Sequence, residues 1–163
     1  MKKLRLGLIG CGRISLKHFE AVAQIENAHF VTCSDIIEER ARKAAEDNNL
    51  ESYYIDYKEM LDKEKLDLAV ICTPSGIHPE IGIEAAKRKV NVLTEKPMGI
   101  NLESADKLIQ ACDDNGVELF VVKQNRLNPT MSMLKNAIDK GRFGRIYLVQ
   151  SNVFWQRPQS YYD

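Results

Sequence analysis

A short apolar run at residues 4–9 leads directly into Gly10-Cys11-Gly12, and this junction limits the chain to few folds. Leu4, Leu6, Leu8 and Ile9 suit a buried parallel strand. Glycines at 10 and 12 let the backbone turn tightly and approach a pyrophosphate. A helix predicted from near Arg13 would aim its free N–H groups at the phosphates. The pattern Gly-x-Gly-x-x-Gly/Ala is met except at its third position, where Ser15 stands. Serine departs from the pattern but is small enough for a helix to pack closely on a strand. On its own such a turn is also compatible with an ordinary strand-to-helix loop.

The next apolar strand, residues 30–34, supplies context because it ends in Asp35. That lies about twenty residues beyond the glycines, where a carboxylate accepts both hydroxyls of an adenosine ribose and repels a 2′-phosphate. NAD is therefore expected over NADP, with Arg40 and Arg42 on the following helix able to soften the preference. The competing role for Asp35 is an N-cap for the helix that follows.

Composition narrows the function classes. The chain has 163 residues, with 23 Lys plus Arg against 23 Asp plus Glu, so its formal charge is zero. Nothing electrostatic favours nucleic acid or an anionic membrane. No run of about eighteen apolar residues is present, and the opening Met1-Lys2-Lys3-Leu4-Arg5 enters a strand too short and interrupted for a signal peptide. A cytoplasmic protein is expected. Cys11, Cys33, Cys72 and Cys112 lack Cys-x-x-Cys spacing and read as small hydrophobes in a reducing compartment, with no metal site.

The remaining chain alternates strand and helix. Ile14, His18, Val22 and Ile25 recur on one helix face, so His18 reads as a packed or rim histidine rather than a catalyst. A helix at 37–48, a short strand at 52–55 and a brief helix at 57–61 follow. The buried strand at 68–72 ends in Thr73-Pro74-Ser75-Gly76-Ile77-His78-Pro79-Glu80, a fixed loop at the strand end where open α/β sheets bind ligands. His78 opens a helix and reads equally as a cofactor contact or as a loop histidine bonded to the backbone. A strand at 91–94 feeds Glu95-Lys96-Pro97-Met98-Gly99. A lysine beside a proline at such an end can be desolvated into a proton partner, and the Lys96–Pro97 bond is a candidate for cis. A helix at 102–115 stopped by Gly116 and a strand at 118–122 complete a doubly wound parallel sheet, a Rossmann domain over residues 1–122.

Residues 123–163 differ in character. A polar segment, a helix at 130–140 and a Gly141-to-Gly144 turn precede an alternating stretch at 146–155, predicted as one long strand. A single strand cannot form a sheet. These residues are expected to be the beginning of a truncated α+β substrate and oligomerisation domain, or to complete their sheet with another chain.

With the glycine turn, the Cys72-to-Glu80 loop and Glu95-Lys96-Pro97 in this order, the sequence resembles the glucose-fructose oxidoreductase, inositol dehydrogenase and rhizopine-catabolism (Gfo/Idh/MocA) family. Residues 123–129 and 152–163 resemble one branch, the UDP-N-acetylglucosaminuronate 3-dehydrogenases of bacterial surface-polysaccharide synthesis. The resemblance implies oxidation of a sugar hydroxyl by hydride transfer to NAD. It implies that Gly10, Gly12, Arg13 and Ile14 hold the pyrophosphate, Asp35 the adenosine ribose, and Thr73, Pro74 and His78 the nicotinamide side. Glu95 would reach the nicotinamide ribose, and Lys96 the reacting hydroxyl. Asn125 and Arg126 would begin the substrate wall, with Trp155 and Arg157 closing over the cofactor. Family members draw their catalytic histidine from the second domain beyond residue 163, so this chain alone is expected to bind cofactor with little or no turnover. A homo-oligomer is also implied. Two other classes remain: a non-catalytic nucleotide sensor on the same fold, against which Lys96 argues, and an interaction module built on the apolar stretch 149–155.

Overall fold

The computed structural model describes residues 3–161; Met1 and Lys2 lie outside the described residues, as do Tyr162 and Asp163, the last two of the 152–163 segment. The chain divides into two compact units, Met1–Val122 and Lys123–Asp163.

The first unit is a six-stranded, all-parallel sheet: β1 (Leu4–Ile9), β2 (Ala28–Ser34), β3 (Ser52–Tyr54), β4 (Leu68–Ile71), β5 (Asn91–Thr94) and β6 (Leu119–Val121). Their spatial order is β3-β2-β1-β4-β5-β6. The chain thus builds outward from β1 in one direction, then returns to β4 and builds outward in the other. Because crossovers between parallel strands keep one hand, this reversal places helices on opposite faces. Phe19 of α1 (Ser15–Val22) and Ala45 of α2 (Glu38–Asn48) pack on Leu6, Leu8, Phe30, Cys33, Val70 and Cys72. The other face carries α3 (Tyr57–Lys63), α4 (His78–Lys87) and α5 (Leu102–Asn115), through Met60, Leu61, Ile81, Ala85, Leu108 and Cys112 against Ile9, Val31, Ala69, Ile71 and Val92.

Strand side chains should alternate between these cores, yet Phe30 and Cys33, three residues apart, share one. The register explains it. Leu6 is opposite Phe30 but Gly7 is opposite Thr32, so β2 holds one extra residue there. Phe19 meets Phe30 edge to face, with ring centroids 4.9 Å apart. Full burial of a side chain such as Leu8 contributes about 1.5–3 kcal/mol.

Helix ends follow local chemistry. Asn101 accepts the Ser104 N–H to start α5, and Gly116, at φ 65°, ends it in the left-handed region. Asp56 caps α3 through the Lys58 N–H. In contrast, α1 begins at Ser15 rather than Arg13 and stops at Val22, short of Ile25.

In the second unit, α6 (Pro129–Asp139) is capped by Asn128, which accepts the Thr130 N–H. The strand predicted at 146–155 does not form. That stretch takes no ladder partner among the described residues, and alternation without a neighbour to accept its backbone hydrogen bonds does not make a strand. No helix among the described residues is long and apolar enough to cross a membrane.

On α4, Glu84 is bonded by Lys87 and Arg88, and Arg88 also reaches Asp62 on α3. These hydrogen bonds hold the Glu84 carboxyl down at about 2. A carboxyl lowered on folding stabilises above its usual value of 4.5, and that stability is lost as pH falls towards 2. Denaturant melts should therefore show the wild type losing about 1 kcal/mol more than Glu84→Gln across that acid window.

Candidate functional site

The site starts where β1 ends. Gly10 has φ +94°, and a Cβ there would fall 2.8 Å from Thr73 N and 2.9 Å from the Cys72 carbonyl carbon. Only glycine allows the end of β4 to press this close. Gly12 is different: a Cβ there would meet nothing within 4 Å and would project into open space. Ser15 is buried, and its hydroxyl donates to Gly12 O at 2.6 Å while its N–H reaches the same oxygen at 3.1 Å. Serine thus tightens the turn that a third glycine would only permit. The N–H groups of Gly12, Arg13 and Ile14 find no acceptor among the described residues, which leaves a cluster of donors at the start of α1.

Asp35 follows β2 and bonds backbone on both sides of it, but it does not cap α2, whose N-cap is Ile37 with no side-chain hydrogen bond. Its Oδ1 accepts the Ile37 N–H at 2.9 Å, at the entry to α2, and its Oδ2 accepts the Cys11 N–H at 2.8 Å, inside the glycine turn. Each oxygen keeps a further lone pair. The carboxylate faces a cleft of about 370 Å³ that also touches Gly10, Gly12, Arg40, Thr73 and Pro74. The walls beyond are apolar: Ile36, Ile37, Ile55, Ile77 and Ile81, with Tyr57. Burial, with the charges of Glu80 and Glu84, pushes the Tyr57 phenol up to about 12. Sequence reasoning missed this slot, although Ile36 and Ile37 directly after Asp35 break the buried-strand pattern and were its available signal. Arg42, unlike Arg40, turns away to Glu46.

A second hollow, of about 420 Å³, lies at the amino ends of β1 and β2 beside Phe19, Val22, His29 and Leu50. The smaller cleft is the candidate site because it sits at the carboxyl ends of the strands and at the reversal between β1 and β4. Each hollow holds one buried polar atom with no partner among the described residues, Thr73 Oγ1 here and His29 Nδ1 in the other. The open space at Gly12, the free donors of the turn and this unpaired hydroxyl fit a dinucleotide.

Glu95, just after β5, is 9% exposed. Its Oε1 lies 2.9 Å from His18 Nε2, and its Oε2 accepts the Lys96 N–H at 3.2 Å. His18, expected as a packed or rim histidine, is part-buried and engages this carboxylate. The Lys96–Pro97 bond is cis. Lys96 itself is exposed, without the burial expected for it, and its Nζ has no partner among the described residues. His78 fills its loop-bonding role: it is buried, with Nε2 2.7 Å from Thr73 O and Nδ1 2.9 Å from Pro97 O. Each ring nitrogen lies within hydrogen-bond distance of a carbonyl oxygen, one on each loop flanking the cleft, so His78 joins those two loops.

The thiols beneath the turn are pushed away from the thiolate form. A hydrogen bond with Cys33, then burial, pushes the Cys11 thiol up, and burial with the charge of Glu95 pushes Cys72 up to about 12.

Asn125 and Arg126 lie in a single 3-10 turn, Gln124–Leu127, of the second unit. In the same unit the Arg157 guanidinium lies over the Trp155 ring, 4.8 Å from its centroid.

A family model described as an oxidoreductase family with an NAD-binding Rossmann fold, GFO/IDH/MocA, matches residues 4–123. The chain belongs to that family. It is 31% identical over 147 residues to the myo-inositol 2-dehydrogenase of Thermotoga maritima, covering 90% of this chain and 44% of that protein. It is 32% identical over 157 residues to the D-apiose dehydrogenase of Paraburkholderia graminis, covering 96% and 40%. Among solved structures, the WlbA dehydrogenase from Bordetella pertussis in complex with NADH and UDP-GlcNAcA is 45% identical with a TM-score of 0.95, over 99% of this chain and 49% of that one. The corresponding complex from Chromobacterium violaceum is 40% identical with a TM-score of 0.96, over 99% and 47%. The chain spans about half the length of these proteins or less.

The two glycines of the turn should fail in different ways when substituted. Gly10→Ala should lower stability by about 1–3 kcal/mol in denaturant melts. Gly12→Ala should melt like the wild type while losing about tenfold or more in cofactor affinity by calorimetry.

Proposed function

We propose that the protein is an NAD-dependent dehydrogenase that oxidises a sugar hydroxyl, with a UDP-sugar uronate as substrate and its C3 hydroxyl as the reacting group. The work would belong to bacterial surface-polysaccharide synthesis. The observation that carries this reading is the 45% identity, over nearly the whole chain, to a dehydrogenase crystallised with NADH and UDP-GlcNAcA. The site described above supports it, since its donors, carboxylates and lysine lie at the carboxyl ends of the strands.

In this reading the free N–H groups of Gly12, Arg13 and Ile14 face the pyrophosphate, where aligned donors and the start of α1 favour negative charge. Asp35 receives the adenosine ribose, and the isoleucines beside it take the adenine. Its charge disfavours a 2′-phosphate. Thr73 Oγ1 and Pro74 border the nicotinamide side, and Glu95 accepts from the nicotinamide ribose. NAD, when bound, supplies the hydride acceptor. Loss of hydride from the carbinol carbon must be matched by loss of the hydroxyl proton. Lys96, with Nζ unengaged, hydrogen-bonds the reacting hydroxyl and orients it. By likeness to the family, the final proton acceptor is assigned to a histidine outside the Rossmann unit. Asn125, Arg126, Trp155 and Arg157 are assigned by likeness to the family as the second unit's contribution. A homo-oligomer is likewise assigned by likeness to the family.

Calorimetric titration with NAD and NADP, then NAD with UDP-N-acetylglucosaminuronate present, tests the reading. NAD should be preferred by about tenfold or more, about 1.4 kcal/mol, and the sugar nucleotide should tighten its binding. Asp35→Asn should narrow the gap by removing repulsion of a 2′-phosphate, with Arg40 close by to receive it. Failure to bind either dinucleotide would overturn the proposal.

A further inference from the structure

The contact between His18 and Glu95 joins residues 77 apart in sequence. His18 lies on α1, one turn beyond Ser15, whose hydroxyl ties that helix to Gly12 O. Glu95 lies beyond β5, on the loop that carries Lys96 and Pro97. One short helix therefore holds the glycine turn at its start and, three residues later, a carboxylate on the other side of β1. Both side chains are largely covered, at 16% and 11% exposure.

The covering matters because a glutamate has three rotatable torsions, and an unheld carboxylate loses that freedom only on meeting a ligand. Here Oε1 is fixed by the imidazole and Oε2 by the Lys96 N–H, at 2.9 and 3.2 Å. Both oxygens keep a lone pair for a hydroxyl donor. The neighbouring Cys72 thiol adds no competing charge, since burial and Glu95 itself push it up to about 12.

We propose that His18 is a positioning residue for the nicotinamide half of the cofactor: by holding Glu95 Oε1 it fixes the carboxylate that receives the nicotinamide ribose. This rests on the reading above that Glu95 meets that ribose. It assigns two tasks to α1, one at the pyrophosphate through the turn it holds at its start and one at the nicotinamide ribose through His18.

Dividing the ligand separates these tasks. ADP carries the adenosine and diphosphate without the nicotinamide ribose, so the affinities of ADP and NAD should respond differently. In His18→Ala, NAD affinity should fall by about tenfold, the worth of one charge-assisted hydrogen bond, while ADP affinity stays within about twofold. His18→Gln places an amide N–H near the Nε2 position and should restore most of the NAD affinity. Glu95→Ala should also weaken NAD selectively, and adding His18→Ala to it should cause no further loss, because the two act as one unit. Thermal melts of each variant check that it is folded. The proposal is overturned if His18→Ala weakens ADP as much as NAD, if it leaves NAD unchanged, or if the two losses add. Wild-type protein that binds ADP but gains nothing from the nicotinamide half would remove the role of Glu95, whereas wild type that binds neither ligand would overturn the cofactor reading and this proposal together.

Discussion

β1 and β4 are hydrogen-bonded neighbours running the same way, yet the chain leaves them towards opposite edges of the sheet. No connecting loop can cross the gap between their carboxyl ends, so a crevice must open there. The chemistry-bearing residues of the first unit gather around it. The glycine turn leaves β1, Asp35 follows the neighbouring β2, Thr73 and Pro74 follow β4, and Glu95 follows β5. Even the conformation of Gly10 derives from this constraint, because the end of β4 occupies the space a side chain would need.

Around the crevice, side chains that look like ligand contacts also act as braces. Asp35 joins the turn after β1 to the entry of α2, His78 joins the loops after β4 and β5, and Ser15 fastens the first turn of α1. Each brace satisfies a buried polar group while setting the position of a loop. Lys96, on the same loops but exposed and unbraced, is the contrast.

Much of this was legible in the sequence where the signal was local. The bounds of α5 could be read because Asn101 and Gly116 act within a few residues, and β5 because its apolar run is bounded on both sides. The glycine turn and Asp35 were legible for the same reason, their spacing along one strand-helix-strand unit. What could not be read depends on groups distant in the chain. Nothing near residue 18 announces Glu95, and helix periodicity made His18 look like packing. The exposure of Lys96 likewise depends on what surrounds it. The stretch 146–155 shows the reverse error: its alternation is a sound local signal, but a strand exists only with a partner to take its hydrogen bonds.

The two hydrogen bonds that Asp35 accepts bear on how this protein divides its work between folding and recognition. A carboxylate free to rotate would have to be immobilised by an arriving ligand, and the affinity would be reduced by the entropy of that ordering. Here the immobilisation is complete once β2, the turn and α2 have assembled, because the Cys11 and Ile37 amides have already selected one rotamer. The ordering belongs to the cooperative transition of the whole sheet, where the burial of the two cores offsets it, and the ligand meets a receptor whose shape was settled before it arrived.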